Sequence, residues 1–188
     1  PSDGPMARYV ALIFDLDGTL IDSDDALIDP FVRLGMARDE ITFGHPIEEA
    51  CAEWGIDIDR YIELYDTAVA QPFEGADEVV RQLGRWAICS NKHTISGREE
   101  LARLGWAPEQ AWFSSDFGGA AKRLAPVIEA MGLDATDVAY VGDTEHDQAC
   151  AEAVGCEFYW AGWNPRTRGL ATGPRVLDTP ERLLALVG

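Results

Sequence analysis

Tyr9-Val10-Ala11-Leu12-Ile13-Phe14-Asp15-Leu16-Asp17-Gly18-Thr19-Leu20 is the stretch on which the fold is read. Tyr9–Phe14 is a continuous apolar run, the pattern of a parallel strand buried on both faces. It ends in two carboxylates and a Gly-Thr turn. Residues two apart in an extended chain point to one side, so Asp15 and Asp17 are expected to face the same space. Gly18 permits the sharp turn that leads the chain away. In open α/β sheets, ligands bind in the crevice at the carboxyl ends of the strands, which is where this charge falls.

Four further apolar runs follow, at Trp86–Ser90, Ala111–Ser114, Val138–Val141 and Glu157–Trp160. Helical spacing lies between them near Ala76–Leu83, Ser96–Leu104, Ala121–Met131 and Glu145–Val154. Pro180–Val187 reads as a closing helix with proline near its start. Strands alternating with helices imply an α/β fold, a doubly wound, Rossmann-like parallel sheet with helices on both faces. Residues 22–75 break the alternation. They hold no convincing strand, while Asp29–Arg38, Ile47–Trp54 and Asp59–Ala70 have helical spacing. The expected organisation is a core of residues 6–21 and 76–188, with a small helical cap of residues 22–75 inserted after the first strand. Met6 is read as the natural start.

The formal net charge is −18. That argues against nucleic acid and anionic membrane surfaces as partners. No apolar run reaches transmembrane length. The four cysteines, Cys51, Cys89, Cys150 and Cys156, form no CxxC pair and are read as reduced thiols of a cytoplasmic protein. An anionic substrate would need local positive charge. The chain has only two lysines, Lys92 and Lys122, so their placement is informative.

The ends of the later strands supply candidates for the same edge. Ser90-Asn91-Lys92 ends the second, where a hydroxyl and free N–H groups could hold an anion or cap a helix. Lys122 follows the Gly118-Gly119 pair. Gly142-Asp143-Thr144-Glu145-His146-Asp147 ends the fourth, and Asp143 and Asp147 are one helical turn apart.

In these residues the chain resembles the haloacid dehalogenase superfamily of aspartate-nucleophile hydrolases, and within it the phosphoglycolate-phosphatase-like members. FDLDGTL is similar to the family's first motif, CSN to its second, the Lys122 region to its third and GDTEHD to its fourth. The third departs from the commoner lysine-proline form, since Arg123 follows Lys122. The resemblance implies a phosphatase acting on a small phosphorylated metabolite through an aspartyl phosphate. It implies Asp15 as nucleophile and Asp17 as general acid and base. Mg²⁺ would be held by Asp15, the Asp17 carbonyl and Asp143. Ser90, Asn91 and Lys122 would hold the phosphate, and Thr19 and Asp147 would support from behind. Asp17 favours phosphoryl transfer over carbon–halogen cleavage, because an alkoxide leaving group needs a proton. A phosphomutase of the same superfamily, or a non-catalytic binding protein on this fold, is the alternative. His45, Arg33, Arg60 and Trp163 are possible substrate contacts. The sequence leaves the oligomeric state open.

Overall fold

The computed structural model describes residues 8–188, so the expected start at Met6 lies outside the described residues. The first apolar run gives β1 (Ala11–Phe14), all four residues buried. A two-residue strand β2 (Ile21–Asp22) leads into helix α1 (Asp24–Arg33), followed by α2 (Ile47–Glu53) and α3 (Ile58–Leu64). A second short strand, β3 (Gln71–Pro72), returns antiparallel to β2. Then come α4 (Ala76–Gln82), β4 (Trp86–Cys89), α5 (Thr94–Leu104), β5 (Gln110–Trp112), α6 (Leu124–Ala130), β6 (Val138–Gly142), α7 (Glu145–Glu152), β7 (Glu157–Ala161) and β8 (Val176–Leu177).

The main sheet has the order β5-β4-β1-β6-β7-β8, and all its pairs are parallel. β1 lies between β4 and β6, with Phe14 in register with Ile88 on one side and Val141 on the other. The chain therefore winds away in both directions from β1, which makes its tip the switch point of the sheet. Alternate residues of β1 divide between two cores. Leu12 and Phe14 pack with Val79, Val80, Leu101 and Leu183 on one face. Ala11 and Ile13 pack with Leu124, Val127, Ile128 and Tyr140 on the other. Each fully buried large side chain contributes about 1.5–3 kcal/mol of transfer free energy, so the sheet centre anchors the fold.

The structure corrects five local expectations. Asp22 and Gln71–Pro72, expected in a strand-free segment, pair as β2 and β3; two residues per strand are too few to leave a period in the sequence. The first helix of that segment runs over Asp24–Arg33, ahead of the expected Asp29–Arg38, and contains Pro30. The left-handed Gly35, φ 103°, follows its end. The third of its helices stops at Leu64, well before the expected Ala70, and Val69 is exposed. Pro180–Leu186 is a 3-10 helix rather than an α-helix. Its buried residues are Pro180, Leu183 and Leu186, a spacing of three that matches three residues per turn. Helix α6 also begins later than expected, at Leu124, so Lys122 lies in the segment before it. Pro126 falls in the first turn, where its missing N–H costs nothing.

The helices α1–α3 stand over the tip of β1. Phe31 of α1 stacks on Tyr61 of α3 with ring centroids 4.4 Å apart and meets Trp54 edge-on at 5.1 Å. Their apolar residues join the same core as Leu12 and Phe14, so this segment is packed onto the sheet domain by a continuous apolar contact.

Candidate active site

Three parallel strands deliver three polar groups side by side. Asp15 follows β1, Ser90 follows β4 and Asp143 follows β6. The ladder continues past the strand end, since the Asp15 N–H donates to the Val141 carbonyl at 3.0 Å. Gly18 turns the chain back at φ 75°, and a Cβ there would meet Asp143 Oδ2 at 2.2 Å. No other residue lets the first loop approach Asp143 so closely. Thr19 Oγ1 donates to Asp143 Oδ1 at 2.9 Å, which ties the two loops together.

Asp147 is fully buried beneath this edge. Its Oδ2 accepts from the N–H groups of Asp143 and Thr144 at 3.0 and 3.1 Å and from Thr144 Oγ1 at 3.0 Å. Its Oδ1 takes Lys122 Nζ in a short contact and the Tyr140 hydroxyl at 3.2 Å. Burial by itself would raise this carboxyl, but Lys122 and the other donors hold it below the usual carboxylate range. A Cβ at Gly142 would strike Asp147 Cβ at 2.4 Å, so glycine is required there too.

Lys122 also reaches Asp15 Oδ1 at 3.4 Å, and the Leu16 N–H donates to the same oxygen at 2.9 Å. Burial works against the Lys122 charge, yet Asp147 and Asp15 outweigh it and hold the ammonium above its ordinary value. Asp15 is pushed up to about 7, by burial first and then by the Asp147 charge. Asp143 is raised too, through burial and the charges of Asp147 and Asp15. Oxygens of Asp15, Asp143 and Asp147 lie within 4.8 Å of one another. Buried carboxylates that lift each other's affinity for protons form an all-oxygen donor set with a deficit of positive charge, which suits a hard divalent cation. Each Asp147 oxygen already takes two or more protein donors, whereas each Asp143 oxygen takes one and the contacts of Asp15 fall on Oδ1, so Asp15 and Asp143 are the two with capacity for an ion.

Asp17 is held apart from that cluster. Its carboxylate accepts from Ser23 Oγ at 2.6 Å and pairs with Lys92 Nζ at 2.9 and 3.1 Å. Lys92 in turn touches Glu100 at 2.8 Å and the Tyr65 hydroxyl at 2.7 Å. Burial pushes Glu100 up against the pull of Lys92. The chain's two lysines are thus both buried, one serving Asp15 and the other Asp17.

Ser90 lies buried beside this edge, its Oγ accepting from the Lys92 N–H at 3.1 Å. Asn91 acts as a strut. Its Oδ1 accepts from the Lys122 N–H at 2.8 Å, and its Nδ2 donates to the Gly44 carbonyl at 2.9 Å. The structure thus brings Asp15, Asp17, Ser90, Asn91, Lys122 and Asp143 to one cleft. Of the four possible substrate contacts, His45 lines this cleft. Arg33 and Arg60 are exposed and pair with Asp29 and Glu63. Trp163 is buried and donates from Nε1 to the Thr19 carbonyl at 2.7 Å, a support for the first loop.

Sequence reasoning missed Arg166. It bridges Asp24 at 3.1 Å and Asp143 Oδ2 at 2.7 Å. It sits in the loop after β7, next to Asn164, whose Nδ2 donates to the Gly18 carbonyl at 2.8 Å. The signal was its place beyond a strand's carboxyl end, the criterion that found the other residues. Glu100 was missed as well: it lies in a helix and reaches the site only through Lys92.

With this geometry the chain belongs to the haloacid dehalogenase-like hydrolase family, whose model matches residues 12–161. The expected family and the doubly wound α/β fold both hold. Among its relatives is a phosphoglycolate phosphatase of Xylella fastidiosa, 28% identical, with 96% of each chain covered. Another, from Xanthomonas campestris, is 26% identical over 83% of this chain and 84% of the relative. Similar solved structures include a putative phosphoglycolate phosphatase from Lactobacillus plantarum, with a TM-score of 0.75 and 20% identity over 95% and 99% of the two chains. A putative haloacid dehalogenase-like hydrolase from Bacteroides fragilis has a TM-score of 0.76 and 21% identity over 94% and 100%. No helix among the described residues is long and apolar enough to cross a membrane.

Proposed function

We propose that this chain is a Mg²⁺-dependent phosphatase that hydrolyses a small phosphate monoester through an aspartyl phosphate on Asp15. The single observation that carries the reading is the juxtaposition of Asp15, Asp143 and the buried Lys122 at the tip of β1, in a chain whose relatives are named phosphatases. Asp15 and Asp143, with the Asp17 carbonyl, would hold the cation. When bound, Mg²⁺ supplies positive charge against the repulsion between a carboxylate nucleophile and a phosphate dianion.

The remaining chemistry falls to side chains. An Asp15 carboxylate oxygen attacks phosphorus, and the bond from phosphorus to the alcohol oxygen breaks. Asp17, entering as the acid, gives its proton to the departing alkoxide. In the second step Asp17 takes a proton from water, whose oxygen attacks phosphorus. The bond to Asp15 then breaks, releasing inorganic phosphate and restoring the carboxylate. Lys122, fixed by Asp147, offsets charge beside the nucleophile, and Ser90 with the Asn91 N–H holds phosphoryl oxygens. Residues 22–75 act as a cap that closes over the cleft and contacts the alcohol. The four cysteines are unpaired, which supports a reducing, cytoplasmic setting.

The test is turnover of p-nitrophenyl phosphate with and without Mg²⁺, for the wild type and Asp15→Asn. Metal-dependent release of phosphate that is lost in the variant is the expected result. Undiminished hydrolysis by Asp15→Asn would overturn the mechanism.

A further inference from the structure

The cleft has two chemically different halves. The sheet side carries Asp15, Asp17 and Asp143 against Lys92, Lys122 and Arg166, and Asp24 at the start of α1 meets Arg166 from the helical segment. All three cations are committed. Even apart from Asp15 and Asp143, which would hold the metal, Lys92 pairs with Asp17 and Glu100, Lys122 with Asp147, and Arg166 with Asp24. The opposite half is formed by Leu27, Phe31, Ile41, Trp54 and Tyr61, and this helical segment places no lysine or arginine on the cleft among the described residues. The polar tips of its tyrosines are used elsewhere. The Tyr61 hydroxyl donates to the Leu27 carbonyl at 3.0 Å, and the Tyr65 hydroxyl to Glu100 at 2.8 Å. Thr42 and His45 of this half hydrogen-bond to each other at 2.6 Å, and the rest of what it offers a ligand is aromatic and aliphatic surface.

Among the described residues that line the cleft, one buried polar side-chain atom has no hydrogen-bond partner, Nδ1 of His93. Burial lowers the affinity of this imidazole for a second proton, so near neutral pH it is an uncharged donor or acceptor.

We propose that the cleft takes a phosphate monoester whose alcohol carries an uncharged ring, seated on Phe31 and Trp54, with a hydroxyl or carbonyl within reach of His93. This rests on the phosphatase reading of the same site and names its substrate class. It also sets the chain apart from the activity that its relatives' names state. The carboxylate of 2-phosphoglycolate would enter a cleft that already lines four aspartates with three paired cations, and no free cation would meet it. An unpaired anion in such a place is strongly disfavoured, whereas a ring gains from burial.

Benzyl phosphate, ethyl phosphate and 2-phosphoglycolate test this, because all three release a primary alcohol and differ mainly in what that alcohol carries. With Mg²⁺, kcat/KM for benzyl phosphate is expected to exceed that for ethyl phosphate by roughly tenfold or more. The value for 2-phosphoglycolate should not exceed that for ethyl phosphate. Trp54→Ala should remove most of the benzyl advantage, chiefly through KM, so that the kcat/KM values for benzyl and ethyl phosphate converge. A preference for 2-phosphoglycolate, abolished by Arg166→Gln, would overturn the proposal by showing that Arg166 leaves its aspartates for the substrate. Calorimetric binding of the same compounds to Asp15→Asn separates the two readings. Absence of turnover in the wild type counts against the phosphatase, and the order of affinities in the variant decides the substrate class.

Discussion

The sheet edge and the helical segment above it meet across one cleft but are stabilised differently. At the edge, charge is buried and almost every group is partnered: Asp147 receives five contacts, and both lysines are paired. In the helical segment, the Phe31, Trp54 and Tyr61 rings pack on one another and the ion pairs lie outside, as with Arg38 and Asp25. Buried networks fix geometry to within hydrogen-bond tolerance, whereas aromatic packing tolerates shape change. The difference is that of a rigid floor beneath an adaptable roof, which on the function proposed above would serve the phosphorus chemistry and the alcohol respectively.

The largest effect expected at the floor, after loss of the nucleophile, comes from Asp17→Asn. Turnover of an alkyl phosphate should fall by roughly 10² to 10⁴-fold, the usual contribution of general acid–base catalysis. The loss should shrink for p-nitrophenyl phosphate, whose leaving group needs no proton. An equal loss on both substrates would mean that Asp17 acts by position and not by proton transfer.

Next in size is Lys122→Met, read by urea unfolding of the metal-free protein. Removing one partner of a buried pair typically costs about 3–5 kcal/mol, because the other charge is left stranded. Here Asp147 would be the stranded group, beneath the loop that carries Asp143. Truncation of the exposed Arg38 should change stability by less than about 0.5 kcal/mol. Similar losses for the two variants would break the contrast between floor and roof.

The smallest effect concerns pH. In the metal-free chain the Asp15 carboxyl sits at about 7, through burial first and then the Asp147 charge. A cation must displace that proton, and the raised Asp143 carboxyl adds to the competition, so Mg²⁺ affinity should fall by roughly tenfold or more per pH unit below about 7. The same raised carboxyl means the metal-free fold binds this proton more tightly than the unfolded chain. Its contribution to stability is present at low pH and lost as pH rises through about 7. Tm with and without Mg²⁺ at about pH 6 and about pH 8.5 measures both; a metal-induced rise in Tm that is equal at the two values would remove Asp15 from the ligand set.

Sequence by itself determined the sheet and most of its functional edge. Continuous apolar runs ending in Asp15, Ser90 and Asp143 could be read because a parallel strand buried on both faces has one composition, and its carboxyl end is the one place such a strand spends charge. Proline and glycine at element ends added the turns. Tertiary structure decided what periodicity does not encode. β2 and β3 exist only because residues 22 and 71, far apart in the chain, come into register. Glu100 and Arg166 act through partners distant in sequence, Lys92 and Asp143. The committed state of every cation in the cleft, which bears on the substrate, is a property of pairs. A sequence lists charges singly, and only the fold sets which of them meet.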